Sequence, residues 1–416
     1  MQVTILPFDI WFVRYDTHDM NASIYFRTNN IILYKLFCFF IPESMKIKNL
    51  IFYLFLILIL AVSCKKDNNS PQPGPTPPKK ADPYLKISMK DINFSQNKDA
   101  HLVVINTNVK WKATCTAKWL TFSAMQGDST TGIIIAASKN KEFKRETTVS
   151  VVADTLSKEI QVTQSGVSRI EFKINGVSFT FLPVKADTSF YLDGGTYLAS
   201  RNVYLDSYFI SETEITNAQW KAVTGRLPYG SENNFPHLPV IVNWKSISED
   251  FLPKLNQLSE YTLRLPTENE WEVAARGGLK SNRTLYAGSM YIDTVAWYWN
   301  NSGGMKHNVG MKKPNELGLY DMSGNVSEWC GDWYEEWTDD NHPPANAKNP
   351  TGPKTGTEKV LRGGDFIAEQ FQYDRDGCAV YARNHLPPDI DTKNFLYDGF
   401  YHYPGFRLVI TKDTSK

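Results

Sequence analysis

Three patterns of apolar and polar positions divide the chain. Thirteen apolar residues follow one another from Leu50 to Val62. Residues 84–166 then alternate short β-branched runs with turns, and from residue 167 the apolar runs become short and irregular, with frequent glycine pairs, Trp and Asn. We therefore expect an N-terminal targeting segment, an all-β domain, and a mixed α/β domain with few long elements.

The middle region predicts several short strands. Each strand candidate is rich in Val, Ile and Thr and is followed by a turn signal, which is typical of half-buried strands. The candidates are "AHLVVINTN", "VKWKATC", "TGIIIAASKN", "ETTVSVVA" and "KEIQVTQSG". Their spacing favours an immunoglobulin-like β-sandwich over residues 84–166.

Two stretches of the last region predict capped helices. In "YFISETEITNAQWKAVTG" a strand leads to Thr216, which can cap a helix whose buried side includes Trp220. In "RLPTENEWEVAARGG" the N-cap Thr267 stands three residues before Glu270, which is the spacing of a capping box. A glycine pair at 277–278 ends this second helix.

Composition narrows the classes of function. The 416 residues carry a formal net charge of +1, so no overall field favours a nucleic acid partner. The five cysteines show no CxxC pair and no Cys/His spacing of a zinc site, which argues against a structural zinc.

The N-terminus has the features of a secretion signal that begins internally. Residues 1–44 have no periodicity, whereas Met45 is followed by two lysines, the apolar run and "LAVSC". This ending resembles the lipobox of a bacterial lipoprotein, which implies lipidation of Cys64 and an outer-membrane lipoprotein facing the periplasm or the cell surface. We expect 1–44 to be an overextended start and 45–64 the signal peptide. The Pro-, Lys- and Asn-rich residues 65–83 would form a disordered tether. A plain transmembrane anchor is the alternative, although the run is short for one.

The β-rich region resembles the BACON domains of Bacteroidetes proteins. The residues that carry the likeness are Trp111, the "KWLTFS" stretch with Trp119, the turn at 140–145 and the closing "VTQSG". The resemblance implies carbohydrate binding, which is often proposed for that family. A spacer role, with Trp111 and Trp119 in the core, is the interpretation that we favour, because inward-facing Trp is the ordinary use in a sandwich.

The last region resembles the sulfatase-modifying-factor family, which has the fold of the formylglycine-generating enzyme. The two helical stretches are followed by "KPNELGLYDMSGNVSEWCGDWY", "LRGGDF" and "GFRLV", in the order of the family. The resemblance implies that residues 167–416 form an irregular mixed α/β domain of the C-type lectin kind. The fold class is therefore multidomain, with an all-β sandwich followed by this domain.

The "YDMSGNVSEW" motif is a candidate calcium loop. Asp321 and Glu328 supply hard oxygen ligands, and Gly324 permits a tight turn that aims backbone carbonyl groups inward. Family members bind calcium here, and the resemblance implies ligation by Asp321, Glu328 and the backbone oxygens of Gly324 and Val326. A solvated turn without metal is the alternative.

The formylglycine-generating enzyme oxidises a substrate cysteine, and this reaction needs copper(I) held by two thiolates. Soft sulfur ligands select copper(I). Active members of the family have Arg-Gly-Gly-Ser, followed by cysteines three and eight residues after the Ser. This chain keeps the Arg-Gly-Gly at 362–364 but has Asp365 at the Ser position. Ala368 and Tyr373 occupy the two thiolate positions. Copper and formylglycine chemistry are therefore not expected.

Cys378 matches a position where some family members carry a structural cysteine outside the copper pair. It could form a disulfide with Cys330, which follows the calcium motif, in an oxidising compartment.

The resulting hypothesis is a membrane-anchored lipoprotein whose non-catalytic domain binds a glycan or a peptide. The Tyr- and Asp-rich stretch "NFLYDGFYHYPGFRL" would contribute to the binding surface, and residues 365–403 could be a diversified binding face. An active formylglycine-generating oxidase and a structural component resembling gliding-motility lipoproteins remain alternatives.

Overall fold

The computed structural model describes two separate units of the chain. The described residues are 10–16, 21–26, 81–194, 200–228, 235–336, 347–368, 377–391, 393–397 and 400–410. Unit Met1–Lys80 contains an antiparallel pair, β1 (Ile10–Asp16) and β2 (Asn21–Phe26). The lipidation candidate Cys64 and the tether up to residue 80 lie outside the described residues. No described helix has the length and apolar character needed to cross a membrane.

The second unit, Ala81–Lys416, begins with the predicted sandwich. Its strands are β3 (Leu85–Ile87), β4 (Asp91–Phe94), β5 (Asp99–Thr107), β6 (Trp111–Thr114), β7 (Leu120–Phe122), β8 (Gln126–Gly127), β9 (Thr131–Ala137), β10 (Arg145–Ala153) and β11 (Leu156–Gln164). They form two sheets, ordered β4-β11-β10-β6-β8 and β3-β5-β9-β7. The five predicted strands correspond to β5, β6, β9, β10 and β11, so this part of the prediction is confirmed.

The sandwich core comes from alternate residues of both sheets, as the period of two requires. Trp111 is buried in this core, and its Nε1 donates to the carbonyl of Ser129. Trp119 is partly buried beneath the guanidinium of Arg145. Both indoles therefore contribute to packing of the domain.

The rest of the unit has many short strands. They are β12 (Ile170–Ile174), β13 (Val177–Val184), β14 (Thr188–Leu192), β15 (Arg201–Leu205), β16 (Tyr208–Ser211), β17 (Leu263–Arg264), β18 (Ser327–Trp333), β19 (Ala347–Lys348), β20 (Lys359–Arg362), β21 (Arg383–Leu386), β22 (Leu396–Tyr397), β23 (Phe400–Tyr401), β24 (Pro404–Gly405) and β25 (Val409–Ile410). The main sheets are β12-β13-β16-β25-β17 and β21-β20-β18-β24. The last strand, β25, lies between β16 and β17, so the two ends of the domain close on each other.

Short helices cover these sheets. They are α1 (Asn217–Thr224), α2 (Trp244–Ser246), a π-helical turn (Ile247–Phe251), α3 (Leu252–Leu258), α4 (Glu268–Ala275), a 3₁₀ turn (Gly278–Lys280), α5 (Ile292–Val295) and α6 (Trp299–Ser302). Thr216 caps α1, and Thr267 forms the predicted capping box of α4 with Glu270. These local predictions are confirmed.

The sandwich packs against the C-terminal domain. The rings of Phe143 and Phe209 lie 4.4 Å apart, and Lys141 pairs with Glu260 at 2.5 Å between Nζ and Oε2. Phe143 thereby joins the edge of the larger domain's core. The sequence did not predict this contact, because neither partner carries a local signal.

Candidate functional site

The loop after β20 holds the family's active-site positions, and its backbone is set by a glycine pair. Gly364 has φ +67°, and a Cβ there would lie 2.6 Å from the carbonyl oxygen of Gly377 and 3.0 Å from Sγ of Cys378. Only glycine permits both the left-handed backbone and this close approach. The pair therefore holds the loop directly against the segment that carries Cys378.

Asp365 acts as a clamp within this loop. Its Oδ1 accepts a hydrogen bond from the amide of Ile367 at 3.0 Å, and its Oδ2 accepts from the amide of Tyr403 at 3.3 Å. Burial raises the pKa of the Asp365 carboxyl to about 6, against the lowering effect of these amides. The side chain that stands at the family's Ser position thus joins the loop to the C-terminal segment.

Ala368 lies next to this clamp. Its amide donates to the carbonyl of Asp365 at 2.9 Å, and its own carbonyl accepts from the amide of Trp299 at 3.1 Å. The methyl group packs at the edge of the small core that includes Cys378. A methyl group offers no ligand for copper(I). Tyr373, at the second thiolate position, lies outside the described residues.

The disulfide that the sequence left possible between Cys330 and Cys378 is not formed in the structure, where both residues are thiols. Cys330 lies on β18 within the core beneath α4, whereas Cys378 packs in the separate small core with Tyr298 and Ala368. Both side chains are almost fully buried. Burial also raises the pKa of the Cys330 thiol well above its ordinary value, which keeps it in the unreactive form.

The predicted calcium loop divides its ligands between two environments. Asp321 is buried, with φ +56°, and its Oδ2 accepts from the amide of Gly310 at 2.7 Å. Its Oδ1 has no hydrogen-bond partner among the described residues. Glu328 instead receives two hydrogen bonds from Arg407, at 2.6 and 2.7 Å, and one from the indole of Trp271 at 2.6 Å. Both oxygens of Glu328 thus serve the ion pair with Arg407, and calcium ligation by Glu328 stays a prediction.

The backbone of the loop is tightly fixed. Gly324 has φ +77°, and a Cβ there would come within 2.3 Å of the carbonyl oxygen of Trp297. The Gly324 amide donates to the carbonyl of Gly363 at 2.8 Å, which joins the loop to the active-site positions. The Val326 amide is equally engaged, since it donates to Oε1 of Glu214 at 3.0 Å. Only glycine therefore fits at position 324, in agreement with the tight turn that the sequence predicts there.

Glu214 is a buried carboxylate that the sequence analysis missed. Its Oε2 also accepts from the Asn325 side chain at 2.7 Å. Burial, followed by the charges of Asp321 and Glu328, raises the pKa of Glu214 well above its ordinary value. The sequence gives one local feature that could have drawn attention to Glu214, which is its position in "SETEIT", just before the capped helix.

The fit of this region to a cation is partial. Three carboxylates face the Arg407 guanidinium, the Lys306 ammonium interacts with Glu214, and Asp321 keeps one oxygen that accepts no hydrogen bond from the described residues. No group of three or more His, Cys, Asp or Glu side chains in the described residues is arranged to hold a metal ion. A cation here would therefore depend on Asp321 and on backbone carbonyl oxygens, which calcium accepts.

A second buried charge network supports the Arg362 end of the loop. Arg362 donates to Glu272 at 2.5 Å, and Arg201 donates to the same carboxylate oxygen at 2.7 Å. Arg276 binds the other oxygen of Glu272 at 2.8 Å. Burial alone would raise the pKa of Glu272, but the three guanidinium groups lower it to about 2. This network fixes β20, and with it the position of the active-site loop.

Two family profiles match the second unit of the chain. The profile of the sulfatase-modifying factor enzyme 1-like domain matches residues 183–411, which are 229 of the 416 residues. The BACON profile matches residues 109–165, within the sandwich. A solved structure of Treponema denticola variable protein 1 aligns with 59% of this chain and 99% of its own, at 28% identity and a TM-score of 0.48.

Two curated relatives illustrate the range of roles among similar proteins. The chain is 34% identical over 195 residues to a formylglycine-generating enzyme from Thermomonospora curvata, covering 42% of this chain and 58% of that enzyme. It is 29% identical over 252 residues to the chaperone protein LppX from Paenibacillus barcinonensis, covering 48% of this chain and 85% of that protein. With the family profile spanning more than half of its length, the chain belongs to the sulfatase-modifying factor enzyme 1-like domain family.

Proposed function

We propose that the C-terminal domain is a non-catalytic binding domain of a lipid-anchored bacterial lipoprotein. The observation that carries this proposal is the chemistry at the described active-site positions, where Asp365 serves as a loop clamp and Ala368 offers only a methyl group. The buried Cys378 does not replace the missing thiolates, because it packs as a core residue. Formylglycine formation needs two thiolates on one copper ion.

Exposed aromatic residues beside these positions support ligand binding. Trp299 donates its backbone amide to Ala368, and the residue is 55% exposed. The ring of Tyr403 lies 4.4 Å from that of Phe366, next to the Asp365 clamp, and Tyr401 is 52% exposed. We call the surface formed by Trp299, Ala368, Tyr401 and Tyr403 the cleft surface. Aromatic side chains of this kind suit a peptide or a glycan, through apolar contact and hydrogen bonds.

A peptide is the ligand class that we favour for the cleft surface. Met305 follows the helix that carries Trp299 and is 61% exposed, and methionine adapts to varied peptide side chains. The relative named as a chaperone, of which this chain covers 85%, is consistent with a role in handling another polypeptide.

The test of the non-catalytic role is an oxidation assay. The purified chain, supplied with copper(I) and air, is incubated with a peptide that carries a sulfatase-type cysteine motif. We expect the peptide mass to remain unchanged while a formylglycine-generating enzyme converts the same peptide. Copper-dependent aldehyde formation that disappears in a Cys378→Ser variant would overturn the proposal and establish the oxidase alternative.

Anchoring has a separate test. If Cys64 carries lipid, a Cys64→Ser variant should move from the membrane fraction to the soluble fraction, and labelled palmitate should no longer be incorporated. Equal membrane retention of the variant and the parent would instead indicate a transmembrane anchor.

We also propose that the loop around Asp321 binds calcium. Asp321 would supply its partnerless Oδ1, and the backbone oxygens of Gly324 and Val326 are the further candidates. Calcium would reduce the repulsion between Glu214 and the neighbouring carboxylates of Asp321 and Glu328. Its role would be to stabilise the fold that supports the cleft surface, so chelation should lower the unfolding temperature.

A further inference from the structure

A cavity of about 570 Å³ lies beside α2 and β18. Its lining includes Trp244, Thr267, Asp332, Arg264 and Glu270, and it contains none of the residues of the cleft surface. This volume falls within the range of roughly 300–1,000 Å³ that is common for small-molecule sites. We call it the Trp244 cavity.

Asp332 provides a buried acceptor in the Trp244 cavity. The residue is 4% exposed, and its Oδ2 accepts from the backbone amide of Glu268 at 2.9 Å. Its Oδ1 accepts no hydrogen bond from any residue that the structure describes. Because Asp332 lines the cavity, an oxygen that receives no donor from the protein is open to a hydrogen bond from a ligand or a water molecule.

The remaining charges of the cavity are already neutralised. Arg264 forms two hydrogen bonds with Glu270, at 2.6 and 2.7 Å, so this pair is neutral as a unit. Asp206 is likewise paired with Lys348 at 3.2 Å. Asp332 interacts with the ammonium of Lys359, so the charged groups of the cavity largely balance one another, which suits a neutral ligand.

Trp244 gives the cavity a fixed aromatic wall. Its Nε1 donates to the carbonyl of Cys330 at 3.0 Å, and the ammonium of Lys359 lies 4.2 Å from its ring centroid. These contacts hold the half-buried indole in one orientation. Hydroxyl groups of Ser207, Ser248 and Thr267 complete the lining. A rigid ring beside hydroxyl and carboxylate groups matches a ligand with apolar C–H faces and hydroxyl edges.

We propose that the Trp244 cavity binds a neutral saccharide unit, with the sugar's C–H face against Trp244 and a sugar hydroxyl donating to Asp332. This site is separate from the cleft surface, so the proposal does not rest on the proposed function.

The test is calorimetric titration of the full chain with methyl glycosides of glucose, galactose, mannose and N-acetylglucosamine. We expect at least one glycoside to bind, and Trp244→Ala to weaken that binding about tenfold or more, which corresponds to the loss of one good aromatic contact. Asp332→Asn keeps an acceptor for the Glu268 amide but removes the charge, and should weaken binding by about the same factor. Thermal unfolding of each variant verifies that it is folded.

Tyr191→Ala is the matched control, because this aromatic side chain is 64% exposed and belongs neither to the Trp244 cavity nor to the cleft surface. It should leave glycoside binding unchanged. The proposal is wrong if no glycoside binds up to about 50 mM, well beyond a millimolar dissociation constant. It is also wrong if Tyr191→Ala weakens binding while Trp244→Ala and Asp332→Asn do not, or if ethanolamine, a cationic probe, binds in the cavity more tightly than any glycoside. None of these results depends on the oxidation assay.

Discussion

Two buried charge clusters in the C-terminal domain differ in their balance. Around Glu272, the guanidinium groups of Arg201, Arg276 and Arg362 hold one carboxylate in its ionised form. At the candidate calcium loop the ratio is reversed, since three carboxylates, those of Glu214, Asp321 and Glu328, face the guanidinium of Arg407, and the ammonium of Lys306 interacts with Glu214 alone. The pKa of Glu272 falls to about 2, whereas that of Asp321 rises to about 6 because of burial.

This difference separates a carboxylate with three cationic partners, that of Glu272, from one with an oxygen that accepts no hydrogen bond from the described residues, that of Asp321. A buried ion is stable only when partners replace the water that it loses. The Glu272 cluster has those partners within the chain, and its role is to fix the strand before the active-site loop. The cluster at Asp321 has an oxygen that accepts no hydrogen bond from the described residues, and a bound cation would satisfy it.

The largest loss of stability should come from removing the Glu272 carboxylate. Replacing Glu272 with Gln removes the carboxylate that Arg201, Arg276 and Arg362 share and leaves Arg362 with the more distant Glu268, at 3.8 Å, so we expect a loss of about 3–5 kcal/mol in the free energy of unfolding. Urea unfolding measures this loss. Arg276→Gln is the control, because Arg276 is the most exposed of the partners and should cost about 1 kcal/mol. Equal losses for the two variants would contradict the special role of the buried partners.

Calcium should have the next largest effect. At a concentration about 100-fold above its dissociation constant, an ion that binds only the folded state adds about 2.7 kcal/mol. Chelation should therefore lower the unfolding temperature of the parent chain. Asp321→Asn should remove this response, and Asp365→Asn should retain it. A chelator effect that survives Asp321→Asn would place the metal elsewhere.

Asp365 offers an intermediate case, because backbone amides rather than guanidinium groups hold it. Its folded-state pKa of about 6 exceeds the ordinary value of 3.8, so the folded state binds more protons than the unfolded state between these values. The contribution of Asp365 to the free energy of unfolding is therefore fully present below pH 3.8 and is lost as the pH rises to about 6. The loss amounts to about 2–3 kcal/mol. Comparing the pH dependence of unfolding in the parent and in Asp365→Asn measures it. If the parent and Asp365→Asn had the same pH profile, the protonation of Asp365 would not contribute to the free energy of unfolding.

The smallest effect concerns the two cysteines. Because Cys330 and Cys378 pack in different cores, a reductant should leave the unfolding temperature unchanged. The single variants to Ser should each cost about 1–2 kcal/mol by placing a hydroxyl in an apolar core, and their effects should add in the double variant. Strong coupling between the two substitutions, or destabilisation by reductant, would indicate a disulfide.

Much of the fold could be read from local signals. The five predicted strands of the sandwich and the caps at Thr216 and Thr267 depend on residues close together in sequence, and the structure has them where the sequence placed them. The motifs of the C-terminal domain, which occur in the order of the family, likewise pointed to the family. The chemistry at Asp365 and Ala368 also follows from identity alone, because no fold can make a methyl group bind copper.

The tertiary structure decided the partners of charges and thiols. The sequence pairs Asp321 with Glu328 by spacing, yet Arg407, seventy-nine residues after Glu328, takes both carboxylate oxygens. Glu214 reaches the same cluster from more than a hundred residues away. The two buried cysteines end in different cores for the same reason. Local spacing determines helices, strands and turns, but ion pairs, disulfides and cavities depend on which distant segments the fold brings within a few ångströms.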